Sequence, residues 1–139
     1  MESQVAGVVI FNDDKVLVVK HTEKAGHITG HYGLPAGRCE SGESYEATAV
    51  RELFEETGIH ASISDLIPLP TIFHEIIPRK DGKKEFIMRV FLCRKYSGKL
   101  RNSEETIPEW MPLRSLDSHP FIGSAKHAIR EAFQLSKSL

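Results

Sequence analysis

Residues Gly37–Ile59 read GRCESGESYEATAVRELFEETGI. Apolar side chains recur at helical spacing in this stretch, which predicts a helix over Ser44–Thr57. Gly58 follows, at the position where a left-handed residue commonly ends a helix, and a serine or glycine within 41–44 can cap its start. The stretch therefore predicts a glycine-containing loop that leads directly into one helix.

The predicted helix carries three carboxylates beside its apolar face. At about 100° per residue, Glu52, Glu55 and Glu56 fall within an arc of about 100°. They also lie in the last two turns, where the helix dipole disfavours negative charge, and only Arg51 is close enough in sequence to compensate. Two interpretations stay open: a solvated acidic face, or a site for a hard divalent cation, which prefers oxygen ligands.

The spacing of these residues resembles the signature of the Nudix hydrolases. That signature is G-x5-E-x7-R-E-U-x-E-E-x-G-U, with U bulky and apolar, and all nine specified positions match between Gly37 and Ile59. Tyr32–Pro35 is similar to the aromatic-x-Leu-Pro that often precedes the signature, although Ala36 stands where glycine is common. The resemblance implies an α/β fold, an α/β/α sandwich around a mixed β-sheet with a loop–helix–loop catalytic motif, in a single domain over residues 1–139.

The same resemblance implies a metal site. Mg²⁺, for which Mn²⁺ can substitute, is expected to be held by Glu52, Glu55 and Glu56, helped by a main-chain carbonyl at Ala36 or Gly37. The metal is expected to stabilise charge on diphosphate oxygens while water attacks phosphorus in line. The implied reaction is hydrolysis of a diphosphate linkage in a nucleoside diphosphate derivative.

Further catalytic roles also come from the resemblance. Arg51 and Glu43 are expected to form an ion pair that orients the glutamates. The general base is Glu52 if this chain follows one group of family members. It is a glutamate on a later loop if the chain follows another group, which makes Glu105 the candidate and Glu104 its neighbour. An exposed polar loop without a catalytic role is the competing interpretation of that segment.

Apolar runs predict the strands. Val5–Phe11 and Lys15–Lys20 are almost wholly apolar, which predicts two central strands joined by a turn at residues 12–14. The charged segment Arg79–Lys84 contains Asp-Gly and predicts a hairpin turn, most simply a solvated one, with a phosphate-contacting arm as the alternative. Further strands are predicted over Ala61–Leu69, Ile72–Ile77, Glu85–Tyr96 and Glu109–Leu113, and a closing helix over Phe121–Leu135.

Composition limits the partners. The 139 residues include 18 basic and 19 acidic side chains, a net charge of −1, which gives no general electrostatic reason to bind duplex DNA or an anionic membrane. We therefore expect a small nucleotide substrate, no stable nucleic-acid partner and no membrane association.

The start of the chain lacks the pattern of a signal peptide, and Cys39 and Cys93 do not form a disulfide framework, so we expect a cytoplasmic protein. A homodimer is a further possibility, since family members often form one.

The substrate is the least determined property. Glu75 stands sixteen residues after Ile59, where ADP-ribose-specific members tend to have proline, and Ile76–Ile77 stand where dinucleoside polyphosphate enzymes often have tyrosine. Because the chain lacks both of these substrate-specific residues, the preferred hypothesis is a MutT-like nucleoside triphosphate pyrophosphohydrolase. The alternatives are hydrolysis of ADP-ribose or a dinucleoside polyphosphate, and, from another class, a non-catalytic nucleotide-binding regulatory domain.

Overall fold

Two buried apolar strands lie at the centre of the fold, and a sheet is built around each of them. The computed structural model describes residues 2–139, which form ten β-strands and two α-helices. In chain order these are β1 (Ser3–Val9), β2 (Phe11–Asn12), β3 (Lys15–His21), β4 (Tyr32–Gly33), β5 (Ala36–Arg38), α1 (Tyr45–Thr57), β6 (Ile59–His60), β7 (Leu66–Arg79), β8 (Gly82–Cys93), β9 (Ser97–Gly98), β10 (Thr106–Pro112) and α2 (Ala125–Lys137).

The first sheet has the order β5-β1-β8-β7. β1 is parallel to β8, whereas β1 with β5 and β7 with β8 are antiparallel, so the sheet is mixed. The second sheet has the order β10-β3-β2, with β4 also paired to β3. The sequence correctly predicts that β1 and β3 are buried strands, but they do not pair with each other as consecutive strands of a hairpin would. Instead β2 pairs with β3, and β1 belongs to the other sheet.

The two helices cover opposite sides of this arrangement. α1 places Ala49 and Leu53 against a core that includes Val8 and Leu17. α2 places Ala128, Ile129 and Ala132 in a separate core on the other side. The α/β/α sandwich around a mixed sheet is therefore confirmed.

The largest departure from the predicted elements is β7. The sequence predicts two strands here, Ala61–Leu69 and Ile72–Ile77, but a single strand runs from Leu66 to Arg79 and passes through Pro68 and Pro70. Its register with β8 shifts between Pro68 and Ile72, which marks a bulge, and β7 is at the edge of its sheet. Proline lacks an N–H for the ladder and is tolerated at such a position. Within residues 2–139, no helix combines the length and the apolar content needed to cross a membrane.

Candidate active site

The loop and helix of the signature form as the sequence predicts. Ser44 caps α1 by accepting a hydrogen bond from the Ala47 N–H at 3.0 Å. Gly58 ends the helix in the left-handed region at φ 84°, and its N–H donates to the Phe54 carbonyl at 2.9 Å. The last turn of α1 contains no basic residue of its own.

Arg51 connects four parts of the site. Its Nε and Nη2 each donate to the Glu43 carboxylate at 2.8 Å. Its Nη1 donates to Glu52 at 2.8 Å and to Glu55 at 3.0 Å, and Nη2 also donates to the Arg38 carbonyl at 3.0 Å. The paired bonds from Arg51 hold the pKa of Glu43 well below its usual range. The guanidinium thus fastens the loop before the helix to the helix itself.

Two of the glutamates contact the backbone of β5. The Ala36 N–H donates to Glu56 Oε1 at 2.7 Å. The side chain of Glu56 stays partly accessible, yet protein atoms surround it closely enough that burial raises its pKa well above the usual range. Burial also raises the pKa of Glu52. A Cβ at position 37 would collide with the Glu52 carboxylate, so glycine is required at Gly37 for this close approach.

A cleft of about 370 Å³ opens beside these residues. Of the predicted site residues, it is lined by Ala36, Gly37, Arg51, Glu52, Glu56 and Glu105. The structure therefore brings these predicted residues close together, but only some of them line the cleft. Glu43 and Glu55 contact Arg51 outside the cleft lining.

Glu105 and Glu104 belong to different surfaces. Glu105 lies in the same cleft as Glu52, whereas Glu104 lines a separate recess. The backbone at Glu105 is anchored, because its carbonyl accepts from the Thr22 N–H at 2.9 Å. The next residue, Thr106, donates from Oγ1 to the carbonyl of Glu56 at 2.9 Å. The segment that carries Glu105 is thus tied to α1 at that point and is not a free loop.

The cleft is also lined by His21, His27 and Arg79, of which the sequence indicated only Arg79, in the alternative of a phosphate-contacting arm. The imidazole centroids are 4.6 Å apart, and Arg79 Nη1 donates to His27 Nε2 at 3.3 Å. Burial, with the charge of Arg79 as a further cause, lowers the pKa of His21 to about 4 and that of His27 to about 3. Instead of pointing into solvent from the turn, the Arg79 side chain is only 17% exposed. The available signal was strand alternation, which puts residues 75, 77 and 79 on one face of β7.

A smaller, mainly apolar pocket of about 100 Å³ adjoins the cleft. Phe86, Met88 and Ile77 supply apolar surface, and Glu75 supplies a carboxyl group. Glu75 Oε2 accepts from the Ser124 N–H at 2.8 Å, and burial raises the pKa of Glu75. An apolar pocket with a few polar groups beside an acidic cleft suits a ligand that has a flat apolar part and a charged part.

The glutamates have the chemistry to hold a hard divalent cation. Glu52, Glu55 and Glu56 supply only oxygen ligands, which Mg²⁺ prefers, and the raised pKa of Glu56 and Glu52 shows that their negative charge is under-compensated. No group of three His, Cys, Asp or Glu side chains in residues 2–139 already stands at metal-ligand spacing. The reason is local, because Arg51 engages Glu52 and Glu55. Metal binding at these residues would therefore require Glu52, which already lines the cleft, to release Arg51, and Glu55 to turn from Arg51 toward the cleft.

Comparisons with known proteins place the chain in a family context. The profile of the NUDIX domain matches residues 1–132. The uncharacterised Nudix hydrolase YvcI of Bacillus subtilis is 31% identical over 91% of this chain and 76% of its own length. An ADP-ribose pyrophosphatase of Methanocaldococcus jannaschii is 30% identical over 70% of this chain, which matches 53% of the length of that relative. The crystal structure of a MutT NUDIX hydrolase from Burkholderia pseudomallei has a TM-score of 0.79 at 24% identity, covering 94% of this chain and 98% of the other.

Proposed function

This chain belongs to the NUDIX family of hydrolases, and from that premise we propose that it is a Mg²⁺-dependent, MutT-like nucleoside triphosphate pyrophosphohydrolase. The observation that carries the proposal is the joint lining of one cleft by Glu52, Glu56 and Glu105, with an apolar pocket beside it. The pocket suits a nucleobase, and the cleft suits a metal-bound phosphate chain.

Each residue of the site has a defined part in this proposal. Glu52, Glu55 and Glu56 hold the metal, with a carbonyl of Ala36 or Gly37 as a further ligand. Mg²⁺, or Mn²⁺ in its place, supplies Lewis-acid polarisation of the diphosphate oxygens when bound. Arg51 and Glu43 position the glutamates: Arg51 donates to Glu52 and Glu55 from the cleft wall, and Glu43 holds Arg51 from outside the cleft lining.

The chemical step is attack of a water oxygen on an internal phosphorus. The new P–O bond forms as the diphosphate P–O bond breaks, and the general base removes a proton from the water. Glu105 is the preferred base because it lines the same cleft as Glu52 and Glu56, and no Lys, Arg or His side chain of residues 2–139 pairs with its carboxylate. Glu52 is the other candidate, but its carboxylate is already engaged by Arg51 Nη1 at 2.8 Å and is assigned here to the metal.

A substrate panel with Mg²⁺ and identified products tests the proposal. We expect nucleoside triphosphates to yield a nucleoside monophosphate and pyrophosphate. Orthophosphate and a nucleoside diphosphate as the first products would contradict the triphosphate assignment. No turnover of any nucleotide in the panel would instead support a non-catalytic nucleotide-binding regulatory domain.

ADP-ribose is the second candidate substrate. The relative from Methanocaldococcus jannaschii is named an ADP-ribose pyrophosphatase, and it matches 70% of this chain. Hydrolysis of ADP-ribose at its diphosphate would release AMP and ribose phosphate. Adding ADP-ribose and a dinucleoside polyphosphate to the panel separates these alternatives by relative kcat/KM.

Two properties of the whole protein accompany this proposal. A cytoplasmic location is supported by Cys39 and Cys93, which are free thiols, as is usual in a reducing compartment. A homodimer stays a prediction, which a mass measurement of the protein in solution would test.

A further inference from the structure

Arg79 is held in place between a strand and a loop. It is the last residue of β7, and a Cβ on Gly26 would collide with its guanidinium, so the loop backbone passes directly over it. The next residue, Lys80, secures the same loop: its N–H donates to the Gly26 carbonyl at 3.1 Å, and its Nζ donates to the Glu23 carbonyl at 2.7 Å. The position of the Arg79 guanidinium is therefore built by the fold and is not that of a freely moving surface side chain.

This arrangement leaves hydrogen-bond donors unused. A guanidinium can only donate, so His27 Nε2 accepts from Arg79 and the proton of the neutral His27 ring lies on Nδ1. Within residues 2–139, His27 Nδ1 and Arg79 Nε are buried and have no hydrogen-bond partner. The nearest carboxylate, Asp81, is 3.8 Å from Nε, beyond hydrogen-bond distance, and is itself mostly exposed. Because buried donors are nearly always satisfied, these two point to a missing acceptor.

The location of these donors identifies the acceptor. Arg79 and His27 line both the apolar pocket and the acidic cleft, so they stand at the junction between the two. The glutamates are on the cleft side of this junction, and they repel an anion unless a metal is bound. An anionic oxygen that enters the junction thus meets the guanidinium of Arg79, with that of Arg38 also in the lining, and two donors that no protein group uses.

We propose that Arg79 and His27 form a subsite for the phosphate group next to the nucleoside, with the nucleobase in the apolar pocket and the remaining phosphates directed to the glutamates. The inference deepens the function proposed above, because it rests on a nucleotide occupying this cleft. It assigns Arg79 to substrate positioning, a role that the family signature does not contain.

Binding of nucleoside monophosphates tests the subsite apart from catalysis. AMP and GMP have the phosphate next to the nucleoside but no diphosphate bond, so they are not consumed when Mg²⁺ is present. Their dissociation constants are compared with those of adenosine and guanosine by titration calorimetry, for the wild type, Arg79→Met and His27→Phe. Lys83→Met is the matched control, since it removes a positive charge from an exposed residue of the same hairpin.

We expect the wild type to bind the better monophosphate more tightly than its nucleoside. Arg79→Met should weaken monophosphate binding by about 10- to 100-fold, the usual range for a charged hydrogen bond, and leave nucleoside binding nearly unchanged. His27→Phe should cause a smaller loss of the same kind, and Lys83→Met should have little effect. Arg79→Lys should keep part of the preference, which shows that charge and not only packing is responsible.

Two results would overturn the subsite. One is a wild type without preference for the monophosphate. The other is an Arg79→Met variant that melts like the wild type and keeps the full preference; if Arg79→Met does not fold, Arg79→Lys and His27→Phe decide the matter by the same measure. The function and the subsite can fail separately: an Arg79-dependent preference for AMP or GMP in a protein that hydrolyses no triphosphate would contradict the function and keep the subsite.

Discussion

Glu56 differs from the other acids of α1 in its surroundings. Glu55 is 48% exposed and bonded to Arg51, whereas Glu56 is held by the backbone of Ala36 and has a strongly raised pKa because of burial. A carboxyl group whose pKa is raised by folding contributes stability below its unfolded pKa, and that contribution is lost as the pH rises through its folded pKa. At neutral pH Glu56 therefore contributes less to stability than it does in acid, and a bound metal would offset this loss.

The substitution Glu56→Gln tests the stability cost of this carboxylate and its role at the metal site. We expect turnover with Mg²⁺ to fall by orders of magnitude, because a proposed metal ligand is lost. The free energy of unfolding of the metal-free protein should rise at neutral pH, by about 0.2–0.5 kcal/mol for each like-charge contact relieved. Glu46→Gln is the matched control: Glu46 is in the first turn, where negative charge is favourable, so this change should lower stability slightly and leave turnover intact. Unchanged turnover of Glu56→Gln at saturating Mg²⁺ would remove Glu56 from the metal site.

The paired acids at 104 and 105 give a second comparison of single residues. Glu105 lines the cleft and Glu104 a different recess, because the backbone bends at these two residues between Ser103 and Thr106. Glu105→Gln should lower kcat by about 10²–10⁴-fold, the usual effect of losing a general base, with little change in metal or substrate affinity. Glu104→Gln should do much less. If Glu52→Gln abolishes turnover while both of these variants stay near wild type, the base is on the helix.

The elements show which parts of a site local sequence can predict. α1 and its preceding loop were predictable because their caps, their apolar face and their acids all lie within Gly37–Ile59. β7 was predicted as two strands, since nothing local indicates that Pro68 and Pro70 lie at a bulge on an edge. Arg79 was assigned to a solvated turn because its burial depends on Gly26, a residue far away in the chain. Local capping and spacing thus predicted the acidic half of the cleft, while the basic half depends on contacts between distant segments.

The junction between the loop and α1 can be tested as a unit through Glu43. Its carboxylate accepts two bonds from Arg51 and one from the Thr48 hydroxyl, so Glu43→Gln should loosen the loop from the helix. We expect the apparent affinity for Mg²⁺, read from the metal dependence of turnover, to weaken by about 10- to 100-fold, as for residues that orient metal ligands. Raising Mg²⁺ should restore most of kcat. Glu40→Gln is the control, since that carboxylate is 68% exposed and 3.5 Å from Arg51; equal effects of the two variants would argue against a positioning role for Glu43.

At the scale of the whole molecule, the site lies where the two sheets meet. β5 of the first sheet brings Ala36 and Gly37, and the end of β3 in the second sheet brings His21. The sequence indicated an α/β sandwich but not this meeting of sheets, because the partition of β1 and β3 depends on pairing with β8 and β10, far along the chain. The buried histidines are a consequence of that assembly, and so their titration reports on the whole fold.

The acid sensitivity of the fold should depend on His27. Its folded pKa is lowered to about 3 from an ordinary value of 6.5, so between these values the unfolded state binds more protons than the folded state. Stability from this residue is therefore present above pH 6.5 and is lost as the pH falls. The buried acids Glu52, Glu56 and Glu75 act in the opposite direction, so the comparison needs a difference between two proteins in which these acids are the same.

We therefore expect His27→Gln to gain stability relative to wild type as the pH is lowered below 6.5, measured as the difference in free energy of unfolding from denaturant titrations. His74→Gln is the control, because the His74 side chain is 65% exposed. The effect arises because a proton on His27 Nε2 would remove the acceptor that Arg79 Nη1 uses and would place a second positive charge beside that guanidinium in a partly buried position. A His27→Gln difference that stays flat between neutral pH and pH 4 would mean that this histidine is protonated equally in the folded and unfolded chains, and the neutral ring assigned to the cleft wall would be wrong.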